Sequence, residues 1–314
     1  ALLVHDGANR DAARGVGARL PQLQVFAAGE LEPLPEAPAE LRDEIDLGDV
    51  HCIMYTSGTT GLPKGVPLTY GNHWHSAVGS ALNLGLVPQD RWLAAVPLFH
   101  ISGLSILMRS VIYGIPAVIH EKFDPREANR SIREDGVTIM SVVSRMLDQM
   151  LDELGDERYP DAFRCMLVGG GGVPLPLLER CRAKGVPVCQ TYGMTETASQ
   201  IATLAPEYMF EKIGSAGKPL FPCELRIVKD GAEAPPGTEG EIAVRGPNVF
   251  GGYLNRPEAT AAALRDGWFY TGDIGVMDED GFLYVLDRRD DLIVSGGENV
   301  YPAEIEAVLE QHPA

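Results

Sequence analysis

Between Asp49 and about Gln190, short apolar runs alternate with longer stretches whose apolar residues recur at helical spacing. The runs fall at 50–55, 92–96, 115–119, 137–143, 164–168 and 186–190, each of strand length. Between them the pattern predicts helices over 71–84, 102–112, 125–134, 144–154 and 175–184. Asp124-Pro125-Arg126-Glu127 marks one helix start, with Asp as N-cap, Pro in the first turn and Glu three residues after the cap. Such alternation predicts a parallel sheet covered by helices.

After about Gly214 the pattern changes. Short alternating runs at Glu224–Val228, Gly240–Arg245 and Gly281–Leu286 are separated by Lys-Asp-Gly, Pro-Pro-Gly and Asp-Glu-Asp-Gly turns. These predict antiparallel β, as a small barrel or a distorted sheet. The Glu- and Pro-rich stretch 30–44 reads as a surface loop.

Composition narrows the function. Lys plus Arg number 26 against 44 Asp plus Glu, a net charge of −18. That excludes an electrostatic footprint for nucleic acid or an anionic membrane. An anionic substrate must be held by local lysine, arginine, backbone N–H groups and metal. The most apolar region, 92–119, is interrupted by His100, Gly103, Arg109, Gly114 and Pro116, so no membrane span is expected. The five cysteines lack CxxC spacing; Cys52, Cys165 and Cys189 read as buried thiols, and no zinc or disulfide role is expected. His73 and His75 lie on an expected helix with no ligand spacing. Without a signal-peptide pattern, the expectation is a soluble, cytoplasmic protein.

The chemistry concentrates in a few segments. Thr56-Ser57-Gly58-Thr59-Thr60-Gly61-Leu62-Pro63-Lys64-Gly65 follows Cys52-Ile53-Met54-Tyr55, which reads as a short buried strand. Glycines let backbone approach an anion, hydroxyls and N–H groups donate to it, and Lys64 adds a point charge. The spacing is not that of a Walker A loop. Gln190-Thr191-Tyr192-Gly193-Met194-Thr195-Glu196 follows the run Val186–Cys189; its aromatic, hydroxyl and carboxylate suit base stacking, phosphate contact and magnesium ligation. Val168-Gly169-Gly170-Gly171-Gly172-Val173-Pro174 reads as strand, glycine loop and helix start. Asp273, in Tyr270-Thr271-Gly272-Asp273, offers two acceptors for a pair of hydroxyls. Read singly, each segment also fits a plain turn or a solvated loop.

In this order, the segments resemble the adenylate-forming enzymes, the superfamily of acyl-CoA synthetases, peptide-synthetase adenylation domains and luciferases. The resemblance runs from about residue 45 to the end. It implies an α/β fold: a large N-terminal domain with a helix-covered mixed sheet and a small β-barrel-like subdomain, then a small, truncated C-terminal α+β domain. The implied divisions are 1–210, 211–289 and 290–314. By resemblance Thr56, Ser57, Gly58, Thr59, Thr60, Gly61 and Lys64 hold ATP phosphates. Gly169, Gly170 and Gly171 line the adenine and acyl pocket. Gln190, Tyr192, Gly193, Met194 and Thr195 bind nucleotide, with Tyr192 on adenine and Thr195 on the α-phosphate. Glu196 ligates Mg2+, Asp273 and Arg288 bind ribose, Asp290 is the hinge pivot, and His100 gates the acyl pocket. Lys64, His100, Thr195 and Glu196 are the implied catalytic set.

The implied partners are ATP, Mg2+, coenzyme A and an aromatic carboxylic acid, the last from longer blocks at 70–85, 97–114 and 213–220 that resemble one branch of CoA ligases. Another aryl- or acyl-CoA ligase, a carrier-protein adenylation module and a non-catalytic nucleotide-binding fragment stay open, as does a homo-oligomer. The superfamily's C-terminal lysine has no counterpart before Ala314, so slow adenylation is expected.

Overall fold

The structure is a computed structural model and describes residues 2–30, 42–56, 63–288, 293–295 and 298–300. The chain divides into two compact units, 1–44 and 45–314. The first holds β1 (Leu2–His5), α1 (Arg10–Arg19) and β2 (Gln24–Ala27), with β1 and β2 paired in parallel. These elements are short and mostly exposed.

The second unit opens with β3 (Val50–Thr56) and β4 (Lys64–Thr69), an antiparallel pair. The expectation of a buried strand at 50–55 within the parallel sheet is therefore corrected. Among the described residues β3 pairs with β4 alone, and Ile53 and Tyr55 are exposed. Its apolar residues are consecutive, so pleat alternation turns half of them outward. α2 (Tyr70–Leu84) follows, capped by Thr69, whose hydroxyl accepts from the Asn72 N–H at 3.0 Å.

Then come β5 (Trp92–Ala94), α3 (Ile101–Tyr113), β6 (Ala117–Ile119), α4 (Pro125–Glu134), β7 (Ile139–Val142), α5 (Ser144–Leu154), β8 (Cys165–Val168), α6 (Leu175–Lys184) and β9 (Val188–Met194). Asp124 caps α4 as expected, accepting from Arg126 and Glu127 N–H groups. β10 (Ser199–Thr203) and β11 (Lys218–Pro219) complete a seven-stranded sheet ordered β11-β10-β9-β8-β7-β5-β6. Strands β5 to β9 run parallel, and β10 and β11 are antiparallel additions, giving a mixed sheet.

The parallel strands are covered on both faces, so their side chains pack fully. Trp92, Leu93, Ile139, Met140, Cys165, Met166 and Val168 are almost entirely buried. Each such apolar side chain contributes roughly 1.5–3 kcal/mol of transfer free energy. Asp90 fastens the amino ends of this sheet. Its carboxylate takes a bidentate grip from Arg164 at 2.5 and 2.8 Å and a 2.9 Å hydrogen bond from Thr138. Arg164 also donates to the carbonyls of Leu84 and Gly85 at the end of α2.

From Glu224 onward the chain forms a second, six-stranded antiparallel sheet. It contains β12 (Glu224–Lys229), β13 (Ala232–Glu233), β14 (Gly240–Arg245), β15 (Leu264–Arg265, after α7, Pro257–Ala263), β16 (Trp268–Met277) and β17 (Leu283–Arg288). A core of Leu68, Tyr192, Ile201, Ile242, Val244, Phe250, Phe269 and Leu283 joins the hairpin, β9 and β10 to this sheet.

Candidate active site

In the parallel sheet the chain steps from β5 outward to β6, then returns to place β7 on the other side of β5. Ligands collect outside the carboxyl ends of strands at such a reversal. One strand further along the sheet, the loop after β7 meets the loop after β8 around a cavity of about 250 Å³, lined by Val143, Ser144, Arg145 and residues 169–172. Ser144 Oγ donates to the Gly172 carbonyl at 2.8 Å. Gly170 has φ +81°, which a side chain would resist, while a Cβ at Gly171 or Gly172 would meet nothing within 4 Å. The strand–glycine loop–helix reading thus holds, and bare backbone faces open space.

The next strand departs from expectation. The segment 190–196 does not leave the sheet after Cys189; β9 continues to Met194 and pairs antiparallel with β10. The pairing is tight at Gly193, where a Cβ would lie 1.8 Å from the Ser199 carbonyl oxygen. Ala198 and Ser199 take positive φ of 49° and 97° at the corner. Backbone strain of this kind collects at binding sites. Thr197 bridges the corner, accepting from the Met194 N–H and donating to the Ser199 carbonyl.

Two carboxylates flank this corner. Glu196 is 8% exposed, and its Oε1 accepts from Tyr253 Oη at 2.9 Å. Burial and the Glu196 charge push the Tyr253 hydroxyl far above the usual phenol range, so it stays a donor. Lys64 Nζ sits 5.0 Å from the centroid of the same ring. A hydrogen bond from Leu254 N–H to the Gly65 carbonyl at 2.8 Å holds β4 against this segment. The second carboxylate, Asp273, is 6% exposed and accepts from Tyr192 Oη at 2.7 Å. Gly272 adopts φ +78° and donates to Glu241 Oε1, setting the turn that carries Asp273. On the β16–β17 ladder, Asp273 is directly opposite Arg288.

The structure therefore draws Lys64, Tyr192, Glu196 and Asp273 into one region, with Thr195 half-buried beside Glu196. Thr56 pairs with Lys64 across the hairpin, so the segment between them joins two antiparallel strands rather than a sheet strand to a helix. Gln190 is buried and its amide donates to the Ser215 carbonyl at 3.1 Å, an anchor to the 213–220 segment. His100 is exposed, stands before α3 and packs on exposed Phe99, the ring centroids 4.5 Å apart. Ser57, Gly58, Thr59, Thr60, Gly61 and Asp290 lie outside the described residues, and Arg288 is described by its backbone alone. Tyr253 escaped the sequence reading; its only signal is an aromatic directly after the pair Gly251-Gly252.

Comparison with known proteins gives the family and the fold. The AMP-binding enzyme family matches residues 6–254. The chain is 69% identical to a 2-succinylbenzoate–CoA ligase of Geobacillus kaustophilus over 92% of its own length and 59% of the relative's. It is 60% identical to the enzyme of that name from Bacillus mycoides, over 92% of the chain and 60% of the relative. Among solved structures, o-succinylbenzoate CoA synthetase (MenE) of Bacillus subtilis in complex with the acyl-adenylate OSB-AMP superposes with a TM-score of 0.91 at 52% identity. That match covers all of this chain and 63% of the other. The same enzyme with ATP and magnesium ion gives 0.90, covering all of this chain and 64% of that one. The chain thus spans about three fifths of the length of the curated relatives it matches.

Proposed function

The chain belongs to the AMP-binding enzyme family, and from that premise we propose that it is the nucleotide- and acid-binding part of a ligase joining 2-succinylbenzoate to coenzyme A, a step of menaquinone biosynthesis. The reaction has two halves. The acid's carboxylate attacks the α-phosphorus of ATP and pyrophosphate leaves; the CoA thiol then attacks the acyl-adenylate carbonyl and AMP leaves. One observation carries this reading: the 2.7 Å hydrogen bond between Tyr192 and Asp273. It couples the residue proposed to face adenine with the one proposed to hold the ribose hydroxyls.

The remaining roles follow from position. Thr195, just after β9, donates toward the α-phosphate. Lys64, carried on β4 beside Tyr253, neutralises charge that develops on the phosphates. Arg288, opposite Asp273, supports the ribose. The glycine loop 169–172 and its cavity receive the flat ring of the acyl-adenylate, and His100 stands in the loop after β5, at the switch point. Glu196 suits Mg2+: it is a buried hard oxygen ligand that commits one oxygen to Tyr253 and keeps a second. Bound there, Mg2+ supplies charge neutralisation on the phosphates. Asp290 is the proposed pivot between the two halves of the reaction. We propose the cytoplasm as location, where ATP, CoA and reduced thiols coexist; all five cysteines are free.

Calorimetric titration with non-hydrolysable adenylate mimics tests the reading. The 2-succinylbenzoyl mimic should bind at least about tenfold more tightly than benzoyl and fatty-acyl mimics, because a polar succinyl group needs matched polar partners. Equal binding of all three removes the substrate assignment and keeps the adenylate chemistry. Binding of none removes both.

A further inference from the structure

His51, Cys52 and His73 meet on the β3–α2 face. Their donor atoms lie within 4.8 Å of one another, and Cys52 Sγ is 3.6 Å from His73 Nε2. Adjacent strand residues ordinarily point to opposite faces. Here the β3–β4 register shifts between Val50 and Cys52, and such an irregularity lets consecutive side chains share a side. His73 reaches in from the first turn of α2 and is 2% exposed. The two imidazoles stand edge to face at 5.0 Å.

We propose that these three residues form a zinc-binding site. One thiolate and two imidazoles are a borderline-soft donor set that suits Zn2+ better than a hard cation such as Mg2+. Tetrahedral ligation, with zinc–sulfur about 2.3 Å and zinc–nitrogen about 2.0–2.1 Å, sets sulfur and nitrogen about 3.5–3.6 Å apart. The Cys52–His73 spacing already has that value. His51 Nδ1 is buried and has no hydrogen-bond partner among the described residues. A ring nitrogen left so costs free energy unless something ligates it. His51 itself is half-buried, which leaves an entry path. The ion would pin the outer end of the β3–β4 hairpin to α2, away from the phosphate segment at the hairpin's tip.

The test uses the untagged full chain, stripped of metal and titrated with Zn2+ against a chromogenic chelator, then with Co2+ as spectroscopic probe. One Zn2+ per chain should bind, and Co2+ should give a thiolate charge-transfer band in the near ultraviolet. Cys52→Ser should abolish that band. His51→Gln should weaken Zn2+ by more than about tenfold, and Zn2+ should raise the melting temperature of the parent alone. Circular dichroism of metal-free samples verifies that each variant folds, and either folded variant suffices. Absence of stoichiometric uptake, a band that persists in Cys52→Ser, or unchanged affinity in His51→Gln overturns the site.

Discussion

Tyr253 donates a 2.9 Å hydrogen bond to Glu196 and at the same time offers its ring to Lys64. One side chain thus spaces the two charges proposed to act on the phosphates, and keeps them from neutralising each other. Tyr253→Phe preserves the ring and removes the donor. Hydrogen bonds to a charged group contribute about 1.5–3 kcal/mol, so Mg2+-dependent ATP affinity should fall about tenfold while AMP affinity stays within twofold. Calorimetry with and without Mg2+ measures both. Equal losses would make the pair a fold element only.

The Tyr192–Asp273 bond joins β9 to β16. Tyr192→Phe and Asp273→Ala should each destabilise by about 1–3 kcal/mol, because the first removes the donor to the buried carboxylate and the second the acceptor of the buried hydroxyl. The double variant should lose less than the sum, with a coupling of at least about 0.5 kcal/mol. Urea unfolding of the four proteins provides the cycle. Strict additivity would mean that the two side chains act independently.

Two glycines should behave oppositely. Gly193→Ala forces a Cβ to within 1.8 Å of the Ser199 carbonyl oxygen, so β9 and β10 must part, at a cost of about 3 kcal/mol or more. Gly171→Ala enters open space and should change stability by less than about 0.5 kcal/mol. It should nevertheless weaken binding of the adenylate mimic, since the methyl occupies the volume the ligand needs. Denaturation midpoints and mimic titrations separate these effects.

The Asp90 clamp predicts acid sensitivity. Burial pushes the Asp90 carboxyl up, but Arg164, the Val87 N–H and Thr138 outweigh it and hold the group below the usual carboxylate range. A carboxyl whose folded pKa lies below its unfolded value of about 4 stabilises fully above that value. The contribution is lost as pH falls through the folded pKa. Asp90→Asn should therefore lower stability at pH 7 and flatten the decline on acidification; a parallel decline in both proteins would exclude Asp90 as its source.

The sequence by itself determined the parallel half of the fold. Buried strands such as Cys165–Val168 are continuous apolar runs, and helices such as Pro125–Glu134 carry their caps within a few residues. Those are local properties of the chain, and they set boundaries to within a few residues. The sequence also supplied the chemistry of the site, because a glycine loop, a buried carboxylate and a lysine keep their character wherever they fold. Only the tertiary structure decided what meets what. It turned 50–56 into one arm of a hairpin, extended β9 through Met194 by pairing it with β10, and left His100 in solvent. It inserted Tyr253 between Lys64 and Glu196, and it used a register shift to bring His51 and Cys52 to His73. Each of these depends on contacts between residues far apart in the chain, or on a one-residue slip that reverses which face a side chain occupies. Hydrophobic periodicity carries no record of either.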